Sequence, residues 1–196
     1  LRLYLDRNCF GDAGMQALCE GLGPGAAPAL RTLHLYCNEV GPAGAEAFAA
    51  ALGSGALRNL DMLSMGDNPL GRQGAAALAA PLRTMPALCA LYLASSEIGD
   101  EGVASLMDNL GKDDFKALEE LRLDENNITR AGAERIANAK NGNLLQSLQL
   151  LGISHNDMSA EEEEALDALH RGPRAWGEGD DSEDDGDSED GGGSED

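Results

Sequence analysis

The chain has 196 residues, and its 14 Lys and Arg stand against 35 Asp and Glu for a formal net charge of −21. So acidic a balance argues against a nucleic-acid partner, because phosphate binding needs a basic face. No run of about 18 apolar residues offers a membrane span, and no signal peptide is visible at the start.

The first pattern runs from Leu1 to Leu22. Leu3 and Leu5 alternate with Tyr4, the period of a short strand with its leucines turned inward. Asn8 follows, then Phe10, Gly11 and Gly14. Met15, Leu18, Cys19 and Leu22 then fall at helical spacing. The same order returns five times, with Asn38, Asn68, Ser96, Asn126 and Asn156 in the place of Asn8. Successive steps are 30 residues except the 28 between Asn68 and Ser96. Leu33, Leu63, Leu91, Leu121 and Leu151 repeat Leu3, and Leu35, Met65, Leu93, Leu123 and Ile153 repeat Leu5. The helical part is Ala-rich, as at Ala75 to Ala80, or apolar at Val103, Leu106, Met107 and Leu110. Alanine favours the helix and keeps its sides slim.

This is the leucine-rich repeat pattern, and its long period matches the class resembling ribonuclease inhibitor, in which each strand alternates with a full helix. The expected fold is therefore α/β, a curved right-handed solenoid with a parallel sheet on the concave face and helices on the convex face. No unit buries its apolar face alone; stacked units share one core. The asparagines are expected to form a structural ladder, since one inward amide can donate and accept where the backbone leaves the sheet. Asn38, Asn68, Asn126 and Asn156 are its rungs. Ser96 substitutes only in part, so a weaker rung is expected there.

Six repeats are expected over residues 1–172. The last is degenerate: "SAEEEEALDALHRG" puts Glu163 and Asp167 at inward positions, which suits a polar cap over 157–172. The first copy begins inside its motif, so further repeats are expected upstream, and an uncovered edge at Leu1 to Leu5 would promote association. Residues 173–196 form an acidic tail. Eleven acids and no Lys or Arg lie between Glu178 and Asp196, a composition expected to be disordered, with Ser182 resembling a substrate of acidophilic kinases. Basic proteins such as histones or importins are its expected contacts.

In this register the residues between the leucines line the concave face. The central column reads Tyr4, His34, Ser64, Tyr92, Arg122, Gly152. One flank reads Asp6, Tyr36, Gly66, Ala94, Asp124, Ser154, and the other Arg2, Thr32, Met62, Ala90, Glu120, Leu150. All three tyrosines fall here, and Tyr suits recognition because it combines large contact area with a polar tip. Tyr4, Asp6, Arg7, His34, Tyr36, Tyr92 and Arg122 are the expected partner-binding residues. His34 and Ser64 are lateral neighbours, but no orienting acid or oxyanion site is evident from spacing, so a binding module is favoured over a hydrolase. His155 and His170 lie at the cap end. No cofactor or metal is expected: the glycines read as turn residues at fixed repeat positions, and metal ligands do not cluster. Cys9, Cys19, Cys37 and Cys89 lack zinc-ligand spacing and read as reduced, buried thiols of a cytoplasmic or nuclear protein.

Repeats of this class followed directly by an acidic tail resemble the Ran GTPase-activating proteins. The closing stretches "LEELRLDENNITRAGAERI", "LLGISHNDMSAEEEEALDAL" and "HRGPRAWGEGDDSEDD" are similar to that family's last repeats and the start of its acidic segment, and "LYLASSEIG" lacks its ladder asparagine as the family's third repeat from the end does. Six repeats before the tail the family has a stretch of the form G-R-N-R-L. Here it is "DRNCF", with Asp6 for the glycine and Cys9 for the second arginine. The resemblance implies an activator that supplies no arginine finger and orders the GTPase's own glutamine. Asn8 would then lie near the nucleotide as the catalytic asparagine, Arg7 would help docking, and the acidic rim at Asp6, Asp67 and Glu125 would steer a basic patch on Ran. It also implies a place at or near the nuclear envelope. Two other functions fit the same pattern. One is a non-catalytic scaffold for an unrelated protein. The other is an acidic leucine-rich nuclear protein that binds histones, whose repeats are shorter, near 24 residues.

Overall fold

The computed structural model describes residues 1–171, and side chains as far as Leu166. His170, Asp167 and the tail from 173 onward, with Ser182, therefore lie outside what is described below. Strands and helices alternate strictly: β1 (Arg2–Tyr4), α1 (Gly11–Glu20), β2 (Thr32–His34), α2 (Pro42–Gly53), β3 (Met62–Ser64), α3 (Gly71–Arg83), β4 (Ala90–Tyr92), α4 (Gly99–Met107), β5 (Glu120–Arg122), α5 (Arg130–Asn141), β6 (Leu150–Gly152) and α6 (Ala160–Arg171). The six strands form one parallel sheet in sequence order. Pairing keeps constant phase, with Leu3 opposite Leu33, Leu33 opposite Leu63, Leu63 opposite Leu91, Leu91 opposite Leu121 and Leu121 opposite Leu151. The expected leucine-rich-repeat solenoid is thus the observed architecture.

The core is a single slab between sheet and helices. Its sheet side is the leucine rows, and its helix side includes Met15, Phe48, Leu78, Leu106 and Ile136, all buried. Burial of one such side chain is worth about 1.5–3 kcal/mol. Packing runs between neighbours: each helix lies against the next, and each strand against the next. No helix among the described residues is long and apolar enough to cross a membrane.

The two repeating glycines have different jobs. Gly11, Gly71 and Gly99 adopt left-handed backbone at φ +58, +61 and +56, as turn residues do. The second glycine of each repeat is helical and answers a space constraint instead. A Cβ on Gly102 would stand 2.7 Å from Ile98 Cβ and 3.0 Å from Ala75 Cβ, and one on Gly74 would stand 3.0 Å from Ala45 Cβ. Reading every repeat glycine as a turn residue is corrected accordingly: the second one lets each helix start close against the preceding helix.

The asparagine ladder is present. Asn38 Nδ2 donates to Leu5 O at 2.8 Å in the preceding repeat and to Leu35 O at 3.0 Å in its own, while its Oδ1 accepts the Asn8 N–H at 2.8 Å. Asn68 repeats this with Leu35 O, Met65 O and the Asn38 N–H. Asn156 does so with Leu123 O, Ile153 O and the Asn126 N–H, and Asn126 bonds Leu93 O, Asp124 O and the Ser96 N–H. Ser96 is the weak rung expected. Its Oγ reaches Ala94 O at 3.2 Å and Met65 O at 3.5 Å, and among the described residues it accepts nothing from the Asn68 N–H. A serine hydroxyl sits too near its own backbone to span the gap that an amide spans.

The ends differ. Leu3 is 37% exposed where Leu33 is 1% exposed, and Leu1 is 76% exposed. In α6 Leu166 is buried in the core, and Glu161 and Glu164 are exposed.

Candidate functional site

Each strand hands over to a turn with an unusual backbone. The residue before each rung has positive φ: Arg7 (58°), Cys37 (54°), Asp67 (55°), Ser95 (52°), Glu125 (56°) and His155 (59°). So does the residue after the rung at Cys9, Glu39, Glu97 and Asn127. For non-glycine residues the left-handed region costs about 1–2 kcal/mol each, and the amide bonds of the rung between them hold the turn in place. The outcome is a rim that aims side chains outward, with Arg7, Glu39, Asp67, Glu97 and Glu125 all exposed.

The sheet registers place the concave columns where the sequence puts them: Tyr4, His34, Ser64, Tyr92, Arg122 and Gly152 are lateral neighbours in that order. Two clusters emerge along them. Over β1 and β2, the Tyr4 and His34 rings stack with centroids 4.6 Å apart and planes 30° apart. Asp6 Oδ2 lies 3.8 Å from His34 Nδ1, and Asp6 Oδ1 accepts the Tyr36 N–H at 2.8 Å. Arg7 places its guanidinium over the Tyr36 ring, 5.7 Å from the centroid. A Cβ on Gly66 would come within 3.5 Å of Tyr36 Cδ2, so that ring lies beside the bare Gly66 backbone. Tyr4, Asp6, Arg7, His34 and Tyr36 therefore form one contiguous patch, with Tyr4 58% exposed.

The second cluster sits over β4 to β6. Tyr92 hydroxyl donates to Glu120 Oε2 at 2.8 Å, and Arg122 Nε donates to Glu120 Oε1 at 2.9 Å. Burial and the Glu120 carboxylate both push the Tyr92 hydroxyl above its ordinary pKa. Arg122 crosses toward β6 over Gly152, where a Cβ would stand 2.6 Å from Arg122 Cδ. Asp124 Oδ1 accepts the Ser154 N–H at 3.0 Å, as Asp6 does for Tyr36. Arg122 and Tyr92 thus belong to a patch separate from the first.

Asn8 is exposed at the start of the ladder. Its Nδ2 donates to Leu5 O at 2.7 Å and Asp6 O at 3.1 Å, and its Oδ1 accepts no hydrogen bond among the described residues. His34 does have an acid beside it, Asp6, which spacing did not reveal. However, the imidazole leans toward β1, and no hydrogen bond joins it to Ser64 among the described residues. His155 is exposed on the rim.

The cysteines are not buried as expected. Cys9 is exposed, and Cys19, Cys37 and Cys89 are half-buried. Cys9 and Cys37 occupy rim turns, where side chains face outward. The Glu39 carboxylate, through a hydrogen bond and its charge, raises the Cys9 thiol above its usual pKa, and Asp67 does the same for Cys37 with burial adding to it. Among the described residues no three His, Cys, Asp or Glu side chains converge as a metal site would require.

Helix caps that cross repeats were missed altogether. Asp12 Oδ1 accepts from Gly41 N (2.7 Å) and Gly44 N (2.8 Å), so α1 caps the start of α2. Asp100 Oδ1 does the same for Thr129 N and Gly132 N at α5. Arg83 of α3 closes the other end of α4, donating to the carbonyls of Leu106, Ser105 and Asp108. A cavity of about 470 Å³ lies between α4 and α5, lined by Met107, Asp108, Arg135, Asn138 and Leu144, and an Arg135–Asp108 ion pair adjoins it.

The chain matches the family model described as Leucine Rich repeat over residues 1–19, 27–49, 88–107 and 117–137. Among solved structures it is similar to leiomodin-1 actin-binding site 2, with 20% identity and a TM-score of 0.51, over 65% of this chain and 70% of that one. Likeness at that identity speaks for the fold. No curated protein matches the chain.

Proposed function

We propose that the chain is a protein-docking module whose partner seats on the concave face, with the patch of Tyr4, Asp6, Arg7, His34 and Tyr36 as its main contact. The observation that carries this is the mutual ordering of that patch: two stacked rings, a carboxylate bonded to the backbone and an arginine held over a tyrosine, with Tyr4, Arg7 and Tyr36 exposed and Asp6 and His34 half-buried. Ordered aromatic and arginine side chains make strong contacts because little rotamer freedom is left to lose on binding. Repeat solenoids present such concave faces to other proteins. A partner-capture experiment with the full chain, comparing wild type with Tyr4→Ala/Tyr36→Ala, tests it. Capture that the double variant abolishes supports the reading; capture unchanged by the loss of both rings overturns it.

The finer reading, carried over from the family resemblance, is activation of GTP hydrolysis by Ran or a related small GTPase. It is favoured by Arg7 and Asn8 standing exposed together on the rim, next to each other in the turn after β1. In that reading Arg7 docks, and Asn8 helps to order the GTPase's own glutamine, so that its attacking water lies in line with the γ-phosphate. Single-turnover hydrolysis by Ran·GTP, with and without the chain, decides it. Stimulation lost on Asn8→Ala, with circular dichroism unchanged, supports the role. Stimulation unchanged by that substitution, or absent from the wild type, removes it and leaves the docking module standing. Actin, which the leiomodin-1 segment binds, serves as the unrelated control partner.

A further inference from the structure

The last helix meets its neighbour differently from the others. In the first five repeats the second glycine stands where a Cβ would run into a neighbouring side chain, at 3.0 Å from Ala45 Cβ for Gly74 and 2.5 Å from Asp100 Oδ1 for Gly132. The sixth repeat has Glu162 in that place. Between α5 and α6 lies an apolar groove of about 280 Å³, lined by Ala133, Ala137, Ala165 and Leu166 together with Arg130 and Glu162. The cover over α5 is incomplete by the molecule's own standard. Ala49, Ala79 and Met107, at the same repeat position as Ala137, are buried, whereas Ala137 is half-buried and Ala165 facing it across the groove is exposed.

We infer that Trp176 of this same chain seats in the groove between α5 and α6, brought back by a turn at Gly172 and Pro173. A glycine just past a helix and a proline after it end the helix and redirect the chain. Trp176 stands five residues beyond Arg171, the last residue of α6, and five residues span at most about 17 Å. Leu166 lies about 7.5 Å back along the helix axis, within that reach. Trp176 is the only tryptophan of the chain, and every residue after it is Gly, Ser, Asp or Glu. An aromatic side chain of this kind buries about 150–250 Å², while those polar residues gain nothing from an apolar groove. Charge selects the same segment. Residues 172–176 hold Arg174 and no acid, and the groove is flanked by exposed Glu134 and Glu161, which would repel the acidic run that starts at Glu178. That run then leaves from the helix side of the solenoid, opposite the concave sheet.

A lone tryptophan reports its own surroundings in the full chain. Trp176 emission in the folded protein is expected at shorter wavelength than in urea, with weaker quenching by acrylamide. Ala165→Gln lays a polar amide in the groove at an exposed helix position where glutamine is a good helix former. It is expected to return emission and quenching toward their values in urea, with far-UV circular dichroism as in the wild type. A second readout does not depend on that variant: Trp176→Ser should lower the thermal midpoint, and Trp176→Phe should recover part of the loss. Emission and quenching alike in the folded and urea-unfolded protein overturn the inference, as does a thermal midpoint indifferent to Trp176→Ser. A short-wavelength emission that Ala165→Gln leaves in place also overturns it, because the indole is then buried elsewhere. So does a shift that disappears on dilution, which would give the groove to the tryptophan of a second copy.

Discussion

Asp100 holds Thr129 by two bonds, accepting its N–H at 2.8 Å and its hydroxyl at 2.6 Å. The carboxylate belongs to α4, yet it completes the N-terminus of α5, where the Thr129 hydroxyl in turn accepts the Ala131 N–H. Stability therefore passes between repeats through helix caps as well as through the leucine rows. Asp100→Ala should cost about 1–2 kcal/mol, the usual penalty for a lost cap. Urea unfolding measures this as a lower midpoint at constant slope; an unchanged midpoint would mean that the contact contributes nothing net.

The interrupted rung can be repaired. Ser96→Asn restores an acceptor within reach of the Asn68 N–H, which Asn126 provides for Ser96 and Asn156 for Asn126. A gain of about 0.5–1.5 kcal/mol is expected from the recovered hydrogen bond. Thermal unfolding reads it as a higher midpoint. A lower one would show that the 28-residue repeat leaves no room for the amide.

At α6, Ser159 and Glu162 form a capping box: the carboxylate accepts the Ser159 N–H at 3.0 Å and its hydroxyl at 3.1 Å. The backbone bond, the hydroxyl bond and the Arg130 charge hold the Glu162 carboxyl below the usual carboxylate range. A lowered pKa means that the cap helps at pH values above the ordinary glutamate pKa, and that this help fades as pH falls through the lowered value. An NMR titration of Glu162 should show that low midpoint, and Ser159→Ala should raise it. A midpoint indifferent to Ser159→Ala would show that the hydroxyl bond contributes nothing and that the Ser159 N–H alone holds the carboxyl low.

Cys9 is exposed but made a poorer nucleophile by Glu39, since the thiolate is the reactive form. Its alkylation by iodoacetamide near neutral pH should speed up in Glu39→Gln. Equal rates in the two proteins would show that Glu39 does not restrain the thiol.

The solenoid was legible because its cause is periodic. Leu3, Leu33, Leu63 and their successors recur at a fixed phase, and the same phase sets the strand register and the concave columns. Ser96 as a weak rung was legible from side-chain length alone. What escaped depends on rotamers and on contacts that do not recur. Asp12 and Asp100 cap across repeats, but the matching positions elsewhere are Pro42, Arg72, Arg130 and Ala160, so no column signals the device. His34 turns toward Asp6 because Tyr4 stacks on its ring, which spacing does not encode. The cysteines misled because thiols are usually buried, whereas Cys9 and Cys37 fall on left-handed rim residues that point outward.

The constant phase of the sheet has one more consequence. Sliding a ligand sideways by one strand presents it with the same backbone again, so main-chain contacts alone cannot tell it where to stop. Position is encoded wholly in the series Tyr4, His34, Ser64, Tyr92, Arg122, Gly152, in which no two adjacent members are alike. Exchanging two of the more exposed of these side chains should move a bound molecule along the coil by a strand.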